Sequence, residues 1–157
     1  MRDIRFIAEH RGGLLKKEQH RQLIKWACEC AENVLPLSGK KSDERLKNAL
    51  LIAKEWAKGK ATVGEARNAS LKAIAVANES ISPVEIAIAR AVGHAVATAH
   101  MADHSLGAAV YALKAVKNSG KSIEDARKWQ NDQLPSEIEE LVLTTRSKKK
   151  FNSNNNL

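Results

Sequence analysis

The stretch SPVEIAIARAVGHAVATAHMADHSLGAAVYALKAVK, residues 82–117, decides the fold of this chain. It opens with Ser82, Pro83 and Glu85, which form a helix start: serine can cap a free amide, proline fits the first turn, and glutamate follows three residues after the cap. Apolar residues then recur at helical spacing, and alanines spread over the remaining circumference. A helix that is apolar nearly all round is normally buried. The stretch therefore predicts one long central helix.

Capping residues and apolar spacing predict five further helices. They cover residues 14–35, 42–59 with Ser42 as the cap, 62–78 with the capping box Thr62 to Glu65, 122–134, and 135–145. Residues 1–13 are predicted to be a docking arm or a short first turn. The predicted fold is all-α, a single-domain bundle of about six helices around a buried, Ala-rich central helix. Its domain covers residues 1–146, and residues 147–157 form a polar tail predicted to lack fixed structure.

The composition restricts the class of function. The net charge is +8, but Arg146, Lys148, Lys149 and Lys150 supply four positive charges from the polar segment after Thr145, so the body is only mildly basic and no nucleic-acid groove is expected. The chain has no apolar segment of about 20 residues and no leader pattern, which predicts a soluble, cytoplasmic protein without membrane contact. Cys28 and Cys30 are two apart on a helix and are predicted to be reduced thiols.

Four residues of the central stretch could form a site: His94, His100, Asp103 and His104. On a continuous helix His100 and His104 share a face at the i, i+4 spacing, which can chelate a divalent metal. Asp103 lies beside them, and His94 lies too far round the helix to complete a ligand triad. A structural network of hydrogen bonds is the favoured interpretation, with a metal site at His100 and His104 or a partner site as alternatives. The glycines that flank these histidines, Gly93 and Gly107, indicate close helix crossings.

The sequence contains none of several common enzyme motifs. It has no P-loop, no dinucleotide-binding glycine motif, no nucleophile elbow and no C-x-x-C motif, so no reaction and no cofactor are predicted. Trp26, Trp56 and Trp129 have apolar neighbours at helical spacing, which favours packing in the core over a binding role.

Four segments resemble the immunity-five-like family of putative immunity proteins of bacterial toxin systems. They are HRQLIKWACECAENVLPL, residues 20–37; GEARNASLKA, residues 64–73; ARAVGHAVATAHMADHSLGAAVYALKA, residues 89–115; and ARKWQNDQLPSEIEELVL, residues 126–143. The resemblance implies a helical, non-enzymatic protein that binds and neutralises a cognate protein toxin. The positions that it suggests as a candidate binding site are His94, His100, Asp103 and His104, with His20, Trp26 and Trp129 as neighbours.

Two other functions remain open from the sequence: a metal-binding helical protein that uses the histidine cluster, and a helical scaffold protein without a toxin partner. The identity of a toxin, the binding surface and the oligomeric state are not encoded in any motif of the chain.

Overall fold

A computed structural model describes residues 2–148, which contain seven α-helices and no β-strand. The helices are α1 (Lys17–Val34), α2 (Glu44–Ala57), α3 (Val63–Glu79), α4 (Pro83–Ala97), α5 (His104–Asn118), α6 (Ile123–Asp132) and α7 (Ser136–Arg146). Three short 3-10 turns, Ile4–Phe6, Glu9–Arg11 and Leu35–Ser38, lie between or before them. The predicted all-α, single-domain fold is confirmed.

Most helices begin where the side chains can cap their free amides. Thr62 Oγ1 accepts from the Glu65 amide at 3.0 Å, and the Glu65 carboxylate accepts from the Thr62 amide at 3.1 Å, which is the predicted capping box. Ser122 caps α6 as expected. The cap of α2 is Asp43 and not Ser42, because the Asp43 carboxylate reaches the Arg45 amide at 2.8 Å. Local side-chain chemistry therefore sets the starts of α2, α3, α4 and α6 within one residue, whereas α1, which has no side-chain cap hydrogen bond, begins at Lys17 and not at the predicted residue 14.

The stretch 82–117 is not one helix, and this part of the sequence prediction is wrong. Ser82 caps α4 as expected, but the helix ends at Ala97, and α5 begins at His104 after a turn of residues 98–103. A continuous helix of this length would measure about 54 Å, much longer than a small domain. Instead, the chain folds back at the turn and packs α5 antiparallel to α4, as the contacts of His94 with His104 and Tyr111 show.

The α4–α5 pair forms the core around which the other helices pack. Helices α1, α2 and α3 cover α4, while α1 and α6 cover α5. The buried surfaces are mostly alanine, and seven alanines of the pair are fully inaccessible: Ala89, Ala91, Ala95, Ala108, Ala109, Ala112 and Ala115. These small side chains let the helix axes approach closely. The predicted Ala-rich core is therefore present, but it is divided between two helices.

The N-terminal arm, residues 2–15, folds back onto the bundle. Its ends are joined by backbone hydrogen bonds, from the Leu15 amide to Ile7 O at 2.9 Å and from the Glu9 amide to Leu15 O at 3.1 Å. Gly13 is required there, because a Cβ at this position would lie within 1.9 Å of the Ile7 carbonyl oxygen. Phe6 and Leu15 are buried. The arm is therefore a docked element, in agreement with the docking-arm interpretation.

The end of the described chain differs from the predicted tail. Arg146 closes α7, and its guanidinium donates to Gln130 Oε1 at 2.5 Å and to Asn131 Oδ1 at 2.8 Å, while lying 5.6 Å from the Trp26 ring. Burial lowers the pKa of Arg146 to about 10. Assigning this charge to a solvated tail was wrong. The predicted absence of structure in the tail concerns residues that lie mostly outside the described ones.

No helix in the described part of the chain has both the length and the apolar character needed to cross a bilayer.

Candidate functional site

A cleft of about 430 Å³ opens beside the turn between α4 and α5. Five parts of the chain build it: the N-terminal arm, the start of α1, the end of α2, the start of α3, and the turn itself. We call it the α4–α5 cleft. Its apolar and aromatic lining includes Phe6, Leu15, His20, Trp56, Val63, His100 and Met101. A cavity of this size has the volume of ordinary ligand sites.

His20 is fixed in this cleft by the end of α4. Its Nε2 lies 2.6 Å from the Thr98 carbonyl oxygen, and its ring centroid lies 4.7 Å from that of Trp56. A carbonyl can only accept, so Nε2 carries the proton and Nδ1 is a free acceptor in the neutral ring. Burial lowers the pKa of His20 against an opposite effect of the hydrogen bond to Thr98, and the nearby His10 and Arg11 lower it further. The ring is therefore neutral at physiological pH.

The rim of the cleft is cationic. Arg2, Arg11 and Lys17 line it, and Glu9 supplies the one carboxylate among the lining residues that the structure describes. Arg2 lies 3.9 Å from Asp103, whereas Arg11 and Lys17 have no ion pair within residues 2–148. Positive charge on the nearby Arg67, Arg11 and Arg2 adds to desolvation in lowering the pKa of His100. The residues that line the cleft consequently include more cations than carboxylates.

A second histidine group lies between α4 and α5. The Nδ1 atoms of His94 and His104 are 2.9 Å apart, and the His94 ring stacks on Tyr111 with centroids 5.2 Å apart. Gly107 makes room for this arrangement, because an added Cβ would lie 2.6 Å from His94 Nδ1. Burial first, and then the charges of His104 and Arg90, lower the pKa of His94 to about 4. One neutral ring therefore donates to the other.

The structure separates the residues that the sequence placed in one site. His100 lies in the turn and His104 begins α5, so the premise of two histidines one helical turn apart on a continuous helix was wrong. His94, which seemed to face away, is instead the partner of His104. His20 and His100 line the α4–α5 cleft. Asp103 precedes α5 without capping it and lies near Arg2.

The two predicted tryptophan neighbours are not in the cleft. Trp26 is fully buried, and its indole donates to Gln130 O at 2.8 Å. Trp129 lies half-buried on α6, where its carbonyl accepts from the Gln133 side chain at 3.3 Å. Trp26 therefore serves packing between helices, as its apolar spacing indicates, whereas the core role of Trp129 stays a prediction.

A metal at the histidines has little support from the ligand geometry. Within residues 2–148 no three histidine, cysteine or carboxylate side chains converge as a set of metal ligands. The His94 and His104 nitrogens that face one another are engaged in their mutual hydrogen bond. The metal alternative at His100 and His104 stays a prediction to be tested in solution.

Sequence reasoning did not place Arg11, Lys17 or Trp56 in the candidate site, although all three line the cleft. Arg11 ends a 3-10 turn of the arm and Lys17 begins α1, so the docking of the arm brings both to the same opening. Trp56 was assigned to the core, yet it is half-buried against His20. The pair Gly12 and Gly13 was the one available signal, because it marks the turn that returns the arm to the bundle.

Comparison with known families identifies the chain. The sequence profile of the family described as Imm-5 like putative immunity protein matches residues 13–137. Comparison with curated proteins and with solved structures gives no match. The matched region includes α1 to α6 and the start of α7, and with them most of the cleft. The resemblance found in the sequence is confirmed, and the chain belongs to the Imm-5 like family of putative immunity proteins.

Proposed function

We propose that this protein is a cytoplasmic, non-enzymatic immunity protein that binds a cognate protein toxin and neutralises it by occlusion. The observation that carries the proposal is the family match over residues 13–137. The α4–α5 cleft is the surface that we assign to the toxin, because it combines an apolar interior with cations that have no carboxylate partner among the described residues. Binding sites in proteins commonly pair an apolar lining with a few placed polar groups.

The chemistry of the reactive side chains supports binding over catalysis. Cys28 and Cys30 are buried in α1, and burial raises the pKa of the Cys28 thiol to about 12 and that of Cys30 further still. Neither thiol is a thiolate at neutral pH, which nucleophilic catalysis requires. His20 has its Nε2 occupied by the Thr98 carbonyl, and no hydroxyl or thiol nucleophile lies among the residues that line the cleft. These observations favour a binding role for the cleft over a catalytic one.

The experiment is co-expression with any toxin-domain gene that sequencing finds beside this one in the source genome. We expect host growth to be restored by the wild-type protein and the two purified proteins to co-elute. A stoichiometric inhibitor protects in proportion to its amount, so the toxin activity should fall linearly to zero near equimolar addition. Protection by far less than equimolar protein would show that it acts as an enzyme. Absence of both protection and co-elution would contradict the toxin-binding proposal itself.

A further inference from the structure

We propose that the α4–α5 cleft recognises a protein segment in which carboxylates flank an apolar side chain. The inference deepens the proposed function and rests on it for the source of the segment, which is the toxin. It goes further because it defines the chemistry that the partner must present. The argument uses the interior of the cleft, the charges of its rim and the surface of α3 that leads out of it.

The interior of the cleft accepts one apolar side chain. Phe6 and Leu15 form its buried base, and Trp56 with Met101 leaves apolar surface partly open. Burial keeps the His20 ring beside Trp56 neutral, because it outweighs the opposite effect of the hydrogen bond that Nε2 donates to Thr98 O on the pKa of the ring. Removing an apolar side chain from water into this space is favourable, in proportion to the area buried.

The rim of the cleft selects negative charge next to that side chain. Arg11 and Lys17 line the opening, and Arg67 lies close enough for its charge to act on His100. None of these three cations forms an ion pair within residues 2–148, although eleven such pairs occur there. Positive groups left without partners around an apolar cavity favour a ligand with complementary charge.

The surface of α3 favours a chain segment over a small free acid. Val63 lines the cleft, and Leu71 and Ile74 follow it on the same face of α3, with exposed fractions of 39%, 65% and 42%. The three positions fall within about 80° of the helix circumference and extend for about 16 Å. This is the length of about five residues in extended conformation. A segment seated in the cleft can therefore continue along α3 over apolar surface.

The test titrates the full-length protein with defined probes and follows side-chain NMR signals. The main probe is the peptide acetyl-Leu-Asp-Phe-Asp-Leu-amide, and its uncharged match carries Asn in place of each Asp. Hydrocinnamate represents a free aromatic acid. Signals of His20, Trp56 and Ile74 report the site, and signals of Tyr111 report the histidine pair, which is not part of the cleft lining.

We expect saturable shifts at His20, Trp56 and Ile74 with the Asp peptide, and binding weaker by about fivefold or more with the Asn peptide, from the loss of two exposed charge contacts. The variant Arg11→Gln/Lys17→Gln should bind the Asp peptide about as weakly as wild type binds the Asn peptide. The matched control Lys47→Gln/Lys121→Gln removes two cations at the opposite end of the bundle and should bind normally. Both variants should melt like wild type, because they change exposed side chains.

Three results would overturn the inference. The first is that the Asp peptide causes no shifts or shifts that do not saturate, and the second is that the Asn peptide binds as tightly as the Asp peptide. The third is that hydrocinnamate binds as tightly as the Asp peptide, which would assign the cleft to a small acid. Protection against the toxin is measured separately in the same variants. Failure of the peptide titration with protection intact would remove this site and leave the proposed function. If wild type binds the peptide but does not protect against the toxin, the proposed function fails and the peptide-binding site remains.

Discussion

The contact between His94 and His104 should make the stability of the protein depend on pH in a defined window. The two Nδ1 atoms are 2.9 Å apart, so one ring must donate and the other accept, which two protonated rings cannot do. The pKa of His94 is lowered to about 4 from its ordinary value of 6.5, by burial first and then by the charges of His104 and Arg90, against a smaller opposite effect of Asp103.

The sign and size of the effect follow from the two pKa values. Between pH 6.5 and pH 4 the unfolded chain binds a proton at His94 that the folded chain does not, so the free energy of unfolding falls as the pH falls through this window. A difference of about 2.5 pKa units corresponds to about 3 kcal/mol. The contribution is fully present above pH 6.5 and is lost progressively towards pH 4. The lowered pKa of His104 adds to it in the same direction.

The assay is urea denaturation of wild type and His94→Asn at pH 7 and at pH 4.5. Asparagine keeps a polar atom near the position of Nδ1 but does not titrate, so carboxylates and the histidines other than His104 contribute equally to both proteins. We expect wild type to be the more stable at pH 7 and its advantage to shrink by about 2 to 3 kcal/mol at pH 4.5. An advantage that stays constant between the two pH values would refute the assignment of a neutral, hydrogen-bonded pair.

Three further predictions concern packing, the C-terminus and metal. Gly107→Ala should lower the free energy of unfolding by about 1 to 3 kcal/mol in urea denaturation, because the new Cβ would meet His94 Nδ1 at 2.6 Å and this outweighs the better helix propensity of alanine. In the control Gly64→Ala the nearest neighbour of the Cβ lies at 3.8 Å, so this variant should be as stable as wild type or more stable. A chain ending at Lys148 should melt within a degree or two of the full chain, and one ending at Thr145 should melt clearly lower, because it lacks the Arg146 hydrogen bonds to α6. Zinc and EDTA should leave the wild-type midpoint unchanged; an upward shift with zinc that EDTA reverses would favour the metal-binding alternative.

The helix starts could be predicted because their causes are local. A threonine three residues before a glutamate, or a serine before a proline, supplies the cap in the sequence itself. The structure accordingly places caps at Thr62, Ser82 and Ser122 where the sequence indicates them. The shift from Ser42 to Asp43 shows the limit, because two adjacent capping residues compete and the geometry of the preceding loop decides between them.

The break in the central stretch could not be predicted, because residues 98–103 contain neither glycine nor proline. The local cause is visible only afterwards: Thr98 Oγ1 donates to His94 O at 3.0 Å, and the His100 amide bonds to Ala97 O in a tightened turn. The determining cause is tertiary, since folding back lets two alanine-rich faces bury one another. Apolar periodicity is the same for one long helix and for two antiparallel ones.

The same break explains why the candidate site moved from a helix face to a cleft. Ending α4 near Thr98 leaves its last carbonyls without helical donors. His20 of α1 supplies one of these donors, and that bond holds its ring against Trp56 of α2. The turn also carries His100 to the opening, away from His104. A wheel drawn for one continuous helix groups residues that the turn separates, and it gives no indication of His20 or of the arm that brings Arg11. The cleft is thus a consequence of how the core closes, which is why residue spacing identified His100 but neither His20 nor the cations.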